Sequence, residues 1–461
     1  MRDGIRPARP PRSRRARLLA VALPIGVALV AGCTGSAGSS AGPAATATRG
    51  AATTAGAISG CLVPPASCYA PHQIDIAYDI QPLLDKGING RGETVTVIAP
   101  AMAAAGPSAG GPNHNPTPSA RAGATSISQD LAAFDREFGL PAARIQVVNS
   151  LAHAGSPYQA AEQAAADVEI VQAVAPAAAF RVVLLPANAL ATPATATADM
   201  LAGLRLAVSG TDVALIDWSL GEHFFTKAQA AQLNSILLGA EAHHVTVVAD
   251  SGDNGGFSDV TFGGTAVREV SLPAADPLVL AVGGTELTLN SATDAYVNET
   301  PWDGQGGFSE SGGASGGGFS RLYARPSYQE GVPGIAAMRG VPDVAADAYQ
   351  QGGVATLTAI GGQTEISSNS STGGAASLWA GLIALADQYA RHDLGLVNPA
   401  IYRIARGPSY HQAFHDITTG NTVQTMPYPG GAAGYHAGPG WDPATGWGSP
   451  DAQVLIPLLA T

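Results

Sequence analysis

The sequence predicts an α/β domain, a doubly wound and mainly parallel sheet with helices on both faces. Three observations carry this. Several short runs are apolar throughout, as strands covered on both sides are. Helical patterns stand between these runs, which argues for layers of helix over a parallel sheet. The stretch from residue 61 to residue 461 is long for one domain, yet within reach of a doubly wound fold.

Residues 94–99 (Thr-Val-Thr-Val-Ile-Ala) are β-branched and apolar and form the first expected strand. A helix over 127–138 leads to a strand over 145–149, and a helix over 161–174 leads to a strand over 180–185. A further helix over 196–208 precedes a strand over 213–218. The helix over 227–242, closed by His243-His244, precedes a strand over 245–249, and a strand over 278–282 ends the series. Trp218 and Trp379 lie in apolar surroundings and are read as core.

A targeting segment, residues 1–32, precedes the domain. Seven arginines lead into the apolar run 18–31, which is too short to span a bilayer and contains Pro24, so it reads as a signal-peptide core. It closes on Val30-Ala31-Gly32-Cys33, which resembles a bacterial lipobox and implies cleavage before Cys33 with lipid on its sulfur. The alternative is an ordinary cleaved secretory peptide with Cys33 a bystander. Ser13-Arg14-Arg15 is also similar to a twin-arginine export signal. Residues 34–60 are nearly all Ala, Gly, Ser and Thr, a tether with a typical span of roughly 30 Å. The expected product is an outward-facing lipoprotein of the bacterial cell membrane.

Removing residues 1–32 takes away seven of the 23 Lys and Arg residues and one of the 35 acidic residues, leaving a net charge of −18. Such a surface repels nucleic acid and anionic headgroups, so no nucleic-acid partner is expected and membrane attachment rests on the lipid at Cys33. Cys61 and Cys68 close a short loop through Pro64 and Pro65, and outside the cytoplasm a disulfide is their expected state. A metal pair is the alternative, though no histidine or further cysteine in that loop completes a site.

Residues 102–124, rich in Pro, Gly and Ala, are expected to form a disordered surface insertion, and 304–318 a Gly-rich loop. Within the latter, Gly313-Ala314-Ser315-Gly316-Gly317 matches the nucleophile-elbow pattern Gly-x-Ser-x-Gly. That motif needs a strand before it and a helix after it, and neither is expected here, so the match is read as accidental.

A series of motifs runs through the domain. It begins at Cys68-Tyr69-Ala70-Pro71-His72-Gln73-Ile74 and continues through Phe134-Asp135-Arg136-Glu137-Phe138-Gly139-Leu140-Pro141 and Ala281-Val282-Gly283-Gly284-Thr285. Gly317-Gly318-Phe319-Ser320, Val341-Pro342-Asp343-Val344-Ala345-Ala346, Ser370-Ser371-Thr372-Gly373-Gly374-Ala375-Ala376-Ser377-Leu378 and the tail 438–450 complete it. Together they resemble the sedolisins, the serine-carboxyl peptidases, over nearly all of residues 66–450. The resemblance implies a subtilisin-like fold and a relay of Glu, Asp and Ser, with a second Asp in the oxyanion hole.

Set without gaps against the family's Gly-Gly-Thr-Ser-Ala-x-x-Pro-Leu pattern, the serine position falls on Gly373, which can supply neither a nucleophile nor a proton. The relay aspartate falls on Asp167 and the glutamate on Gln163, four residues apart and so on one helix face. Glutamine keeps the shape of glutamate but cannot act as a base. Glu162 lies about 100° around the helix from Gln163, so Glu162 and Glu169 are read as solvated surface. Asp253 takes the oxyanion position, with an Asx-type turn as its bland reading. A register shift could bring Ser370 or Ser371 into place and make the chain an active acid endopeptidase, though without a base.

The resemblance also implies structural calcium, held by the side chains of Asp416 and Asp442 and the carbonyls of Ile417, Gly438 and Gly440. Gly438, Gly440 and Asp442 are spaced by two, as an extended loop aiming ligands one way would be. A plain Gly/Pro turn is the alternative. Family peptidases usually carry a long prosegment, for which the tethered arrangement is expected to leave no room. The expectation is a catalytically disabled peptidase homologue that binds a peptide or protein in a cleft lined partly by residues 316–319, by strand-like hydrogen bonding. A structural envelope scaffold is a weaker alternative.

Overall fold

In the computed structural model the described residues are 68–99, 126–148, 157–186, 189, 191–258, 262, 266–304, 313–349, 352–360, 363–368, 371–425 and 432–461. The signal segment, Cys33, the tether, Cys61, the 102–124 insertion, Ser370 and the side chain of Glu162 lie outside them.

A central sheet of eight strands, its inner members apolar on both faces and its edges partly exposed, forms the core. Its strands are β1 (Thr94–Ala99), β2 (Arg144–Val148), β3 (Ala179–Leu184), β4 (Val213–Ile216), β5 (Thr246–Asp250), β6 (Leu280–Leu289), β7 (Tyr296–Pro301) and β8 (Val344–Asp347). Their order is β8-β6-β5-β4-β1-β3-β2, all parallel, with β7 antiparallel against β6. The expected mainly parallel α/β sheet is therefore present.

The period of two along each strand divides the core. On β4, Val213 and Leu215 point into one cluster with residues of the helices α1 (Ile127–Phe138) and α2 (Pro157–Val174). Ala214 and Ile216 point into a second, formed with α3 (Pro193–Ala207) and α4 (Lys227–Ala242). The helix α5 (Thr372–Ala390) belongs to the first cluster and is buried without a break from Thr372 to Asp387. A helix apolar all round has to sit in the centre of a domain. Trp379, on α5, has no exposed surface, and its Nε1 donates to the Ala345 carbonyl at 2.9 Å. Among the described residues no helix is long and apolar enough to cross a membrane.

Three local expectations need correction. The β4 ladder stops at Ile216 rather than 218, because Asp217 turns out of the sheet. β6 continues to Leu289 through Gly283 and Gly284, where neighbours crowd the backbone. A Cβ on Gly284 would come within 2.6 Å of the Ala348 Cβ, so only glycine lets the strand pass. Glu169 is not solvated surface. It is fully buried, and its Oε2 accepts the Leu357 N–H at 2.7 Å. That amide belongs to a hairpin, β9 (Ala355–Ile360) with β10 (Gln363–Ser368), which lies over α2 and gave no signal in the sequence.

Ser315 has no exposed surface, accepts the Gly284 N–H at 2.9 Å and donates to the Ala444 carbonyl at 3.0 Å. Its Gly-x-Ser-x-Gly match is structural, as read.

Candidate active site

Open α/β sheets place their sites beyond the carboxyl ends of the strands, and the relay positions gather there. Asp167 lies on α2 and has no exposed surface. Gln163 stands one turn earlier on the same face. Its Nε2 lies 3.4 Å from Asp167 Oδ1 and donates more closely to Oδ2 of Asp217, the residue that follows β4. Ser377, on α5, donates to the Gly373 carbonyl at 3.0 Å and lies 3.4 Å from Asp167 Oδ1. The structure thus brings Gln163, Asp167 and Gly373 together, with an acid the motifs did not point to.

Asp217 decides what the site can do. A Cβ built on Gly373 would fall 1.5 Å from Asp217 Oδ1 and 2.0 Å from its Cγ. The volume of any side chain at position 373 is already filled by a carboxyl group. The sequence had one signal for this residue, an acid inside the apolar run Ala214-Leu215-Ile216-Asp217-Trp218. Reading that run as continuous strand placed Asp217 in a ladder instead of in the site.

The electrostatics agree with the geometry. Burial pushes the Asp167 carboxyl well above its usual range, and the adjacent Asp217 pushes it further. Burial also raises Asp217, while hydrogen bonds from Asp167 and Gln163 pull it back. Two carboxyls so close hold a proton between them rather than ionise together. The amide at Gln163 donates to this pair, whereas a glutamate would add a third acid to it.

Asp253 Oδ1 accepts from both the N–H and the Oγ1 of Thr372, at 2.9 and 2.8 Å. It ties the segment after β5 to the first turn of α5. Ser371 is the N-cap of that helix, with its Oγ accepting the Gly374 N–H at 3.2 Å. Its oxygen serves the cap of the helix that carries Gly373. The segment 316–319, expected to line the cleft, is held in place by backbone hydrogen bonds on one side. Gly316 N donates to the Gly252 carbonyl at 2.6 Å, Gly317 N to the Gly255 carbonyl at 3.1 Å, and Gly318 and Phe319 pair with Val341 and Gly340.

At the tail, Asp416 accepts the Gly440 N–H with both oxygens, at 3.1 and 3.2 Å, and Asp442 Oδ2 accepts the Gly438 N–H at 2.9 Å. Both acids therefore brace one loop, which bends at Gly440 (φ +77°) and is not extended. Burial raises Asp442 to about 6. The side-chain donors here, Asp416 and Asp442, offer only oxygen, the donor type a hard cation takes.

No family model matches the chain. It is 34% identical over 305 residues to kumamolisin of Bacillus sp. (strain MN-32), covering 64% of this chain and 50% of that protein. It is 36% identical over 221 residues to sedolisin of Pseudomonas sp. (strain 101), covering 47% of this chain and 35% of that protein. Against tripeptidyl-peptidase 1 of Homo sapiens it is 28% identical over 264 residues, covering 52% and 41%. The chain thus spans about half the length, or less, of these curated relatives. Among solved structures it is similar to Pseudomonas sedolisin, a serine-carboxyl proteinase complexed with two molecules of pseudo-iodotyrostatin. The TM-score is 0.66 at 26% identity, over 85% of this chain and 97% of that one.

Proposed function

The chain belongs to the sedolisin family, and from that premise we propose that it is a peptidase homologue that has lost its serine chemistry and acts by binding a peptide or protein. One observation carries the reading: the carboxyl group of Asp217 occupies the space a serine side chain at position 373 would need. Gln163 supports it, since an amide in the base position donates to the acids beside it and takes no proton. A side chain at position 373 would meet Asp217, and a glutamate at position 163 would add a third acid beside Asp167 and Asp217. The rest of the fold is kept, so the surface beyond the strand ends remains the place where a segment would lie. In this reading Asp416, Asp442 and the carbonyls of Ile417, Gly438 and Gly440 hold a structural calcium, and Cys33 carries the lipid that holds the protein outside the bacterial membrane.

The test is a cleavage assay of the purified protein on a mixed peptide library, from acidic to neutral pH with calcium present. Titration with pseudo-iodotyrostatin, which a similar structure holds, accompanies it. The proposal expects binding without turnover. Turnover abolished by Ser370→Ala with Ser371→Ala would overturn it in favour of a displaced serine. Turnover that survives those changes but is lost with Asp217→Asn would overturn it in favour of water activated by the Asp167–Asp217 pair. Neither binding nor turnover would leave the envelope scaffold.

A further inference from the structure

At the opposite end of the sheet lies a second group of acids with no role in the site above. Glu93 directly precedes β1 and Asp212 directly precedes β4, its parallel neighbour, so both stand at the amino-terminal edge. Asp393 reaches the same place from the loop that follows α5. One carboxylate oxygen from each of these three lies within 4.8 Å of the others. Among the described residues none of them is in an ion pair with a base. The charges that weigh most on Glu93 and Asp212 are themselves acidic. Such a grouping is unfavourable unless something positive joins it.

Asp387 gives the independent pointer. It lies in the last turn of α5 with no exposed surface, and its Oδ1 accepts the Leu394 N–H at 2.8 Å. Its Oδ2 is buried and has no hydrogen-bond partner. The charged groups that act on it are Glu93, Asp393 and Asp212, and its bond to Leu394, next to Asp393 in the chain, puts it beside their cluster. A buried carboxylate oxygen without a partner is costly, and a cation is the partner this setting lacks. The carboxyl end of α5 adds the negative end of a helix dipole.

We infer that Glu93, Asp212 and Asp393, backed by Asp387, form a binding site for a hard divalent cation of the calcium type. The ligands are oxygen only, and the three outer carboxylates are half-exposed, which leaves room for water to complete the coordination. The ion would clamp the starts of β1 and β4 to the loop after α5. This site is independent of the tail loop at Asp416 and Asp442.

Calcium titration calorimetry on the chelator-stripped full protein tests this. Asp442→Asn removes the tail site from view, and circular dichroism confirms that the variant is folded. One calcium should still bind, and adding Asp393→Asn should weaken it by on the order of tenfold or more, as loss of one charged ligand does. A folded Asp442→Asn protein that binds no calcium overturns the proposal. If Asp442→Asn does not fold, wild type is compared with Asp393→Asn and with Glu93→Gln. A stoichiometry lower by one in both supports the site, and an unchanged stoichiometry and affinity overturns it.

Discussion

At position 373, where the family resemblance would put a serine, the carboxyl group of Asp217 fills the space a side chain would need. Restoring the two family residues, Gly373→Ser with Gln163→Glu, is therefore expected to yield no peptidase. The new Cβ would meet Asp217 Oδ1 at 1.5 Å, and the new glutamate would face two acids that burial already holds above their usual range. Activity, if the scaffold can still support it, should need Asp217→Gly as a third change, and a peptide-cleavage assay across the set reads this directly. Stability offers a second reading of the same contact. Gly373→Ala alone should cost about 1–3 kcal/mol as an overpacked core substitution. In an Asp217→Gly background most of that cost should vanish, which a double-mutant cycle by urea unfolding would show. Equal costs in both backgrounds would mean that Asp217 does not fill the space.

Among the elements, six of the eight sheet strands were legible, because an apolar run covered on both faces needs no context to be recognised, whereas β7 and β8 were not expected. β1 and the helices α1 and α4 fall on their expected bounds. What the sequence hid depends on partners far along the chain: the β9–β10 hairpin that buries Glu169, the passage of β6 between Pro342 and Ala348, and the exit of Asp217 from β4. The motif around Asp343 was legible as a motif, yet its work was not. Asp343 Oδ1 accepts from Arg339 and Tyr402 at 2.7 and 2.8 Å. Its Oδ2 accepts from Arg339, Asn398 and the Ala281 N–H at 2.6, 2.9 and 2.9 Å. Arg339 and Asp343 have no exposed surface. Asp343→Ala would leave a guanidinium buried without its partner, at a cost of about 3–5 kcal/mol in a urea-unfolding measurement. A loss below about 1 kcal/mol, the size of an exposed pair, would contradict this network.

The molecule as a whole carries an excess of acid in its interior, and this sets how its stability responds to pH. Burial raises Asp75 to about 8, with one carboxyl oxygen lacking a hydrogen-bond partner, and raises Glu286 to about 7. Burial also holds Glu169 and Asp347 well above the carboxylate range. An acid whose pKa is higher folded than unfolded binds its proton more tightly in the native state. Its contribution is fully present below the unfolded value, near 4, and is lost as pH rises through the folded value. The net charge of −18 expected for the processed chain works in the same direction, since self-repulsion grows as these groups ionise. The melting temperature in chelator should therefore be highest near pH 4 and fall from there to about pH 8, a window that runs from the unfolded values of these acids to their raised folded values. Asp75→Asn, which keeps the shape and removes the titration, should flatten part of that fall. A profile that rises toward pH 8, or one that Asp75→Asn leaves unchanged, would mean that ionised partners, not buried neutral acids, govern the stability of this fold.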